Sequence, residues 1–341
     1  PRALQLCRRP DLRYTPTQTR PCGVYSAAEG IRRLTPLIRV ENVYKRFAAH
    51  TVLDGLSFTV GEGEIVGLLG PNGSGKTTTV RLLNGVLRAD GGSLAVAGLD
   101  PVSEGDRVRA MSGILTETAR FYGHLTGREN LRFFAALYGV TDPRRPDALL
   151  DMFGLREAAD RRVGTYSTGM RKRLGLAKAL LHQPRILFLD EPTNDLDPEG
   201  TRLVLEHIRE LNRREGTTVL LCSHLLEQLE KICHRYVFID RGRCIAAGDF
   251  ASLQAQYLPE VILEVETDLP LDAAAARGVP AVPVDAEATS GARRIQFTLP
   301  DREAAARFLR DLTQEANVYA AMPVRRDLES LYFRIREVHG T

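Results

Sequence analysis

Apolar positions along the chain repeat in two ways. Short unbroken runs, such as Glu64 to Leu69 and Ile186-Leu187-Phe188-Leu189, have the length and apolar density of strands buried on both faces. Elsewhere the spacing is helical. From Thr77 the positions Val80, Leu82, Leu83 and Val86 favour a helix, and Leu131, Phe134, Leu137 and Tyr138 are expected on one face of another. Leu174, Leu176, Ala177, Leu180 and Leu181 mark a third, opened by a polar turn with Ser167 and Gly169. Past Phe250 the texture changes. Strand-like VILEVE (261–266) and RRIQFTL (293–299) flank a Pro/Ala/Gly-rich loop around Gly278–Ala292. A helix over Arg302–Ala316, a strand near Val318–Val324 and a final helix over Asp327–Glu337 complete a β-β-α-β-α order, which suggests a small α+β domain.

The periods divide the chain into a tail at 1–36, a main α/β domain at 37–250 and an accessory domain at 251–341, for which a dimer-contact or regulatory role is expected. Within the main domain, about 101–163 reads as a helical insertion after a strand-rich lobe. No apolar stretch approaches the roughly 18 residues of a membrane span.

Charge sharpens the picture. Of 46 Lys and Arg against 43 Asp and Glu, residues 1–36 hold seven Arg against Asp11 and Glu29. The rest therefore carries 39 basic and 41 acidic groups, so the positive balance belongs to the tail and no nucleic-acid partner is expected. Five prolines and little periodicity make that tail a disordered segment; Arg-rich and acid-poor, it also has the composition of an organelle transit peptide. The five cysteines form no C-x-x-C pair and read as reduced thiols, Cys222 as a small buried hydrophobe.

The chemistry concentrates where strand meets helix. Gly70-Pro71-Asn72-Gly73-Ser74-Gly75-Lys76-Thr77 fits G-x-x-x-x-G-K-[ST] without a gap, between the strand ending at Leu69 and the helix carrying Val80. Backbone N–H groups of such a loop, with no side chains in the way, cradle a polyphosphate. Lys76 supplies a charge for the β and γ phosphates, and Thr77 a hydroxyl for Mg²⁺. In RILFLDEPTNDLDP (185–198), Asp190 and Glu191 end an apolar strand, where open α/β sheets bind ligands. Asp190 is placed to reach Mg²⁺ and Glu191 to polarise an attacking water. The bland alternative is a pair of helix-capping acids. Ser167 and the N–H groups after it could meet a second anion.

TYSTGMRKRLGLAKALLHQP (165–184), followed at once by the apolar strand and Asp190-Glu191, resembles the signature motif of ABC-type ATPases. The likeness runs from about Leu37 to Phe250 and implies a P-loop NTPase with a helical subdomain, binding ATP and Mg²⁺. It implies an ATP site of Phe47, stacked on adenine, of Gly70 to Thr78 (Thr78 included), and of Glu117, Ser167, Gly169 and Asp197. Glu191, His224 and Lys76 would be catalytic, with Thr77, Asp190 and Glu117 around the metal. Asn194 to Asp197 is similar to the D-loop, and His224 to the switch histidine.

Three positions depart from the common pattern: Glu117 for the Q-loop glutamine, Tyr166-Ser167-Thr168-Gly169-Met170 for Leu-Ser-Gly-Gly-Gln, and Asp195 for a small D-loop residue. The first two are familiar from the ABC-2 exporters of drugs, lipids and polysaccharides, whose permease is a separate chain, and DLESLYFRI (327–335) resembles the tail of drug-exporter ATPases. The resemblance thus implies a head-to-tail homodimer at the cytoplasmic face of the membrane, energising a separate transmembrane permease. Two other readings carry the same motifs: an importer subunit, and a soluble ABC ATPase of ribosomes or DNA repair. The chain lacks the tandem modules or long heptad coils of the latter. A catalytically weak regulator is a further alternative, opposed by Lys76 and Glu191.

Overall fold

A computed structural model describes residues 36–116, 120–270, 278–284 and 292–340. Expectations for residues 1–35 of the tail and for Glu117 lie outside the described residues, and Pro36, grouped with the tail, belongs to the first strand. Thirteen strands are present among them: β1 (Pro36–Phe47), β2 (His50–Gly61), β3 (Ile65–Leu69), β4 (Gly91–Val96), β5 (Ser112–Leu115), β6 (Ile186–Asp190), β7 (Thr218–Cys222), β8 (Arg235–Asp240), β9 (Arg243–Gly248), β10 (Val261–Thr267), β11 (Ala281–Pro283), β12 (Arg293–Leu299) and β13 (Val318–Pro323). They form three sheets. A six-stranded sheet has the order β5-β6-β7-β3-β8-β9 and is parallel except for β9, which runs against β8. An antiparallel sheet β2-β1-β4 faces it, and β11-β12-β10-β13 forms an antiparallel accessory sheet.

The central sheet is buried on both faces, which explains the unbroken apolar runs. Ile65, Leu187, Leu189, Val219 and Leu221 enter a core shared with the helices. Their neighbours Val66, Leu68, Phe188, Leu220 and Cys222 enter another, shared with β1, β2 and β4. Successive side chains point to opposite faces, so both faces must be apolar. All five residues of β3, β6 and β7 are buried. Polar groups can enter only at the strand ends.

In the helical segment, the helix Gly127–Leu137 starts with a capping box, Thr126 and Glu129 exchanging side-chain and backbone hydrogen bonds. Leu131 and Ala135 are buried, whereas Leu137 is 70% exposed. The expectation that Leu137 shares the face of Leu131 is corrected. Six residues turn the helix by roughly 240°, so the two cannot lie on one stripe.

The accessory sheet buries one face. Leu263, Val265, Ile295, Phe297 and Leu299 pack on Ala305, Phe308 and Leu312 of the helix Arg302–Glu315. β11 forms where the sequence suggests only a loop, pairing Ala281–Pro283 with Phe297–Ile295. It is an edge strand, and proline is tolerated there because its outer side needs no donor. The last helix, Leu328–Val338, sits elsewhere. Its buried Leu328, Leu331 and Ile335 belong to the helical core under the central sheet, where Tyr332 lies 6.2 Å from Phe238. The β-β-α-β-α grouping drawn from sequence joins this helix to the accessory sheet, but its apolar stripe packs with the main domain.

Candidate active site

β3 ends at Leu69 and turns through Gly70–Gly75 into the helix Lys76–Leu83. Two glycines here have no substitute. A Cβ on Gly70 would lie 2.1 Å from the Ile239 carbonyl oxygen. Gly75 has φ +108°, and a Cβ there would meet the Leu53 side chain at 2.5 Å. With glycine as N-cap, no side chain takes up the first helix amides, and the first turn carries no acid. The helix start is thus open to an anion. Lys76 is buried, and its Nζ donates to the carbonyls of Gly70 (2.7 Å) and Pro71 (3.1 Å). The loop is wrapped around its own lysine.

Thr77 Oγ1 donates to Asp190 Oδ2 at 2.7 Å, joining the helix start to the end of β6. Both groups are hard oxygen donors of the kind Mg²⁺ takes. Glu191 follows in a left-handed conformation, φ +51°, which costs a side-chain-bearing residue about 1–3 kcal/mol and clusters at functional sites. Its N–H donates to the Cys222 carbonyl at 2.9 Å, so β7 holds the strained residue in place. Glu191 Oε2 lies 3.0 Å from His224 Nδ1. Burial, reinforced by the charge of Asp190, pushes the Cys222 thiol well up, so it stays protonated below the carboxylates.

These groups meet at a cavity of about 400 Å³, lined by Asn72, Gly73, Gly75, Lys76, Thr77 and Thr78 on one side and by Asp190, Glu191, Asn194 and His224 on the other. His50 and Val52 of β2 also line it; the sequence reading missed both. They precede the glycine loop by some twenty residues and carry no motif. The register alone brings them in, since β2 pairs with β1 and Asp54 N–H donates to the Gly242 carbonyl beside the loop.

Other expected site residues lie outside this cavity's lining. Phe47 ends β1 opposite His50, 44% exposed, with Lys45 Nζ 5.4 Å from its ring centre. Tyr44, the neighbouring aromatic, packs on Gly55 and Gly91. Ser167 caps the helix Thr168–Ala179, accepting from Met170 N–H at 3.1 Å. Gly169 abuts the 194–197 loop, since a Cβ on it would lie 3.3 Å from Leu196 and 3.4 Å from the Asp195 carbonyl. In that loop Asp195 takes φ +64°, and Asp197 caps the helix Pro198–Glu215 by accepting from Gly200 N–H at 2.8 Å.

The ABC transporter family model matches residues 53–194. The chain is 46% identical over 212 residues to the daunorubicin resistance ATP-binding protein DrrA2 of Streptomyces coeruleorubidus, covering 61% of this chain and 66% of that one. It is 40% identical over 232 residues to the Nod factor export ATP-binding protein I of Paraburkholderia xenovorans (strain LB400), covering 67% and 76%. A solved ATP-binding subunit of an ABC transporter superposes with a TM-score of 0.61 at 29% identity, over 65% of this chain and 93% of that one.

Proposed function

Since the chain belongs to the ABC transporter family, as an ATP-binding and ATP-hydrolysing subunit, we propose that it powers export through a separate permease of the ABC-2 type. The observation that carries its chemistry is the convergence of Lys76, Thr77, Asp190, Glu191 and His224 on one cavity. Export is supported by the two relatives, one for daunorubicin resistance and one for Nod factor export. No helix among the described residues is long and apolar enough to cross a membrane, which suits a peripheral subunit at the cytoplasmic face.

In this reading the Gly70–Gly75 amides and the helix start hold the β and γ phosphates, with Ser74 in the loop and Thr78 in the first turn of the helix. The Lys76 ammonium exchanges its loop carbonyls for phosphate oxygens. Mg²⁺ held by Thr77 and Asp190 would neutralise phosphate charge, and Glu117 is proposed to hold its water. Glu191 accepts a proton from water as that water's oxygen bonds to the γ phosphorus. The bond from γ phosphorus to the bridging oxygen breaks, leaving ADP and phosphate. His224 holds Glu191 from the open side, its own side chain half exposed. Phe47 stacks on the adenine. Ser167 and Gly169 would serve the γ phosphate of a second copy placed head to tail, with Asp197 shaping the loop between them. That Ser167 and Gly169 line no part of their own chain's cavity supports the arrangement.

Sedimentation tests it. Glu191→Gln should dimerise on adding ATP, because the bound nucleotide is no longer consumed. Glu191→Gln combined with Ser167→Arg should stay monomeric. A double variant that dimerises as well as the single one overturns the head-to-tail site. ATP-dependent uptake into inside-out vesicles holding the co-expressed permease tests export, and its loss in Lys76→Ala is expected.

A further inference from the structure

A second cavity, of about 360 Å³, lies between the end of the main domain, the accessory sheet and the last helix. Its walls are of two kinds. Leu258, Ile262 and Val324 make an apolar side, and Arg325, Arg326 and Arg334 face it with a single carboxylate, Glu260. The three guanidinium groups are not equivalent. Arg325 is an exposed rim residue bound to Glu230 at 2.8 Å, and Arg334 is bound outwards to Glu337 at 2.7 Å. Arg326 is 10% exposed, and its Nη2 has only a long contact of 3.5 Å to Glu260. Its Nη1 is buried without any hydrogen-bond partner.

A guanidinium keeps its charge at every physiological pH, and Arg326, held by one long contact, lines the cavity with donors to spare for an acceptor. The geometry selects the acceptor. A planar carboxylate matches the guanidinium fork with two parallel hydrogen bonds. Glu260 beside Arg326 opposes a dianion such as phosphate more than a monoanion. The apolar wall asks for a hydrocarbon portion on the same molecule. We propose that this cavity binds a small amphipathic carboxylic acid, its carboxylate on Arg326 and Arg334 and its chain against Leu258, Ile262 and Val324.

The site is placed to be felt by the ATPase. The segment joining β13 to the last helix carries Arg325, and Leu328 N–H donates to Glu230 Oε2 at 3.0 Å. Glu230 sits on the helix Leu226–Ile232, which begins two residues after His224. A ligand on Arg326 therefore sits on the same short segment that anchors the helix behind the switch histidine, and Arg334 follows it roughly two turns into the last helix.

The test is binding of hexanoate to the full chain by saturation-transfer NMR, with the nucleotide site filled by Mg-ADP. Hexanoate should bind saturably and hexanol about tenfold or more weakly. Arg326→Gln should weaken hexanoate by a similar factor. Ile262→Trp, which fills the cavity from the opposite wall and leaves the guanidinium in place, should abolish it in protein whose circular dichroism is unchanged. No saturable hexanoate binding, equal binding of hexanol, or parent affinity in both variants overturns the proposal. The readout is binding rather than turnover, so its failure would leave the ATPase reading intact.

Discussion

The central and accessory sheets solve burial in opposite ways, and only one of them leaves room for chemistry. β3, β6 and β7 are covered on both sides, with every residue buried. β10 and β12 alternate, one face on the helix Arg302–Glu315 and the other half open. In the two-sided sheet, polar groups are forced to the carboxyl ends of the strands, and Lys76, Asp190 and Glu191 gather there. The backbone differs too. All seven described non-glycine residues with positive φ, Glu191 and Asp195 among them, lie at or before Arg241, in the main domain. The described residues of the accessory sheet include no such residue, and their pairing shifts register once, between Glu266 and Thr267. Of the seven, Glu191 follows β6 directly, and the Cys222 carbonyl of β7 holds its N–H.

The contrast can be broken first at Glu191. Glu191→Gln keeps the shape and the left-handed backbone but accepts no proton, so kcat should fall by about 10²–10⁴-fold with ATP affinity retained. Parent turnover in purified variant would remove the chemistry from this strand end. Next, matched core truncations should separate the sheets. Leu189→Ala and Phe297→Ala both remove fully buried side chains and should each cost about 2–5 kcal/mol in denaturant melts. Only Leu189→Ala, next to Asp190, should also lower kcat; an equal loss from Phe297→Ala would mean that the accessory sheet shapes the site. Phe47→Ala should weaken ATP binding by about 1–3 kcal/mol in titration calorimetry if the ring stacks on the base. Unchanged affinity would take the adenine away from the β1–β2 hairpin.

The smallest effect is one of pH. His182 stacks on Tyr138 at 4.5 Å, and its Nε2 lies 3.1 Å from the Ser112 carbonyl. Burial holds its pKa below the usual 6.5. The unfolded chain therefore takes up this proton first as pH falls. The contribution of His182 is fully present above about 6.5 and is lost as pH drops through the lower folded value. Replacing it by Gln should flatten melting temperature against pH between roughly 7 and 5. An unchanged slope would place the acid sensitivity elsewhere.

The glycine loop and the Asp190-Glu191 strand end were legible because their chemistry is local: neighbouring residues supply both the backbone and the ligands. His50 and Val52 were not, because they reach the cavity through strand register, a relation no short window contains. Leu137 misleads because it is as apolar as its neighbours yet stands roughly 240° around the helix from Leu131. β11 escaped because three residues with a proline carry too little pattern to stand out from a loop. The last helix shows the limit in another way. Its stripe of Leu328, Leu331 and Ile335 was visible as a helix, but nothing in it tells which of two cores it will enter.

That last helix also sets an order of events. Its buried side chains complete the core beneath β3, β6 and β7, yet about eighty residues, the whole accessory sheet among them, separate it from the end of β9. At roughly 5–20 residues per second of synthesis, the ATPase would wait some 4–16 s on the ribosome with an apolar groove uncovered. The accessory sheet would emerge and could close on its own core during that wait. A nascent chain stalled before Leu328 would expose a surface that a chaperone can hold, and the last helix, once made, would close it.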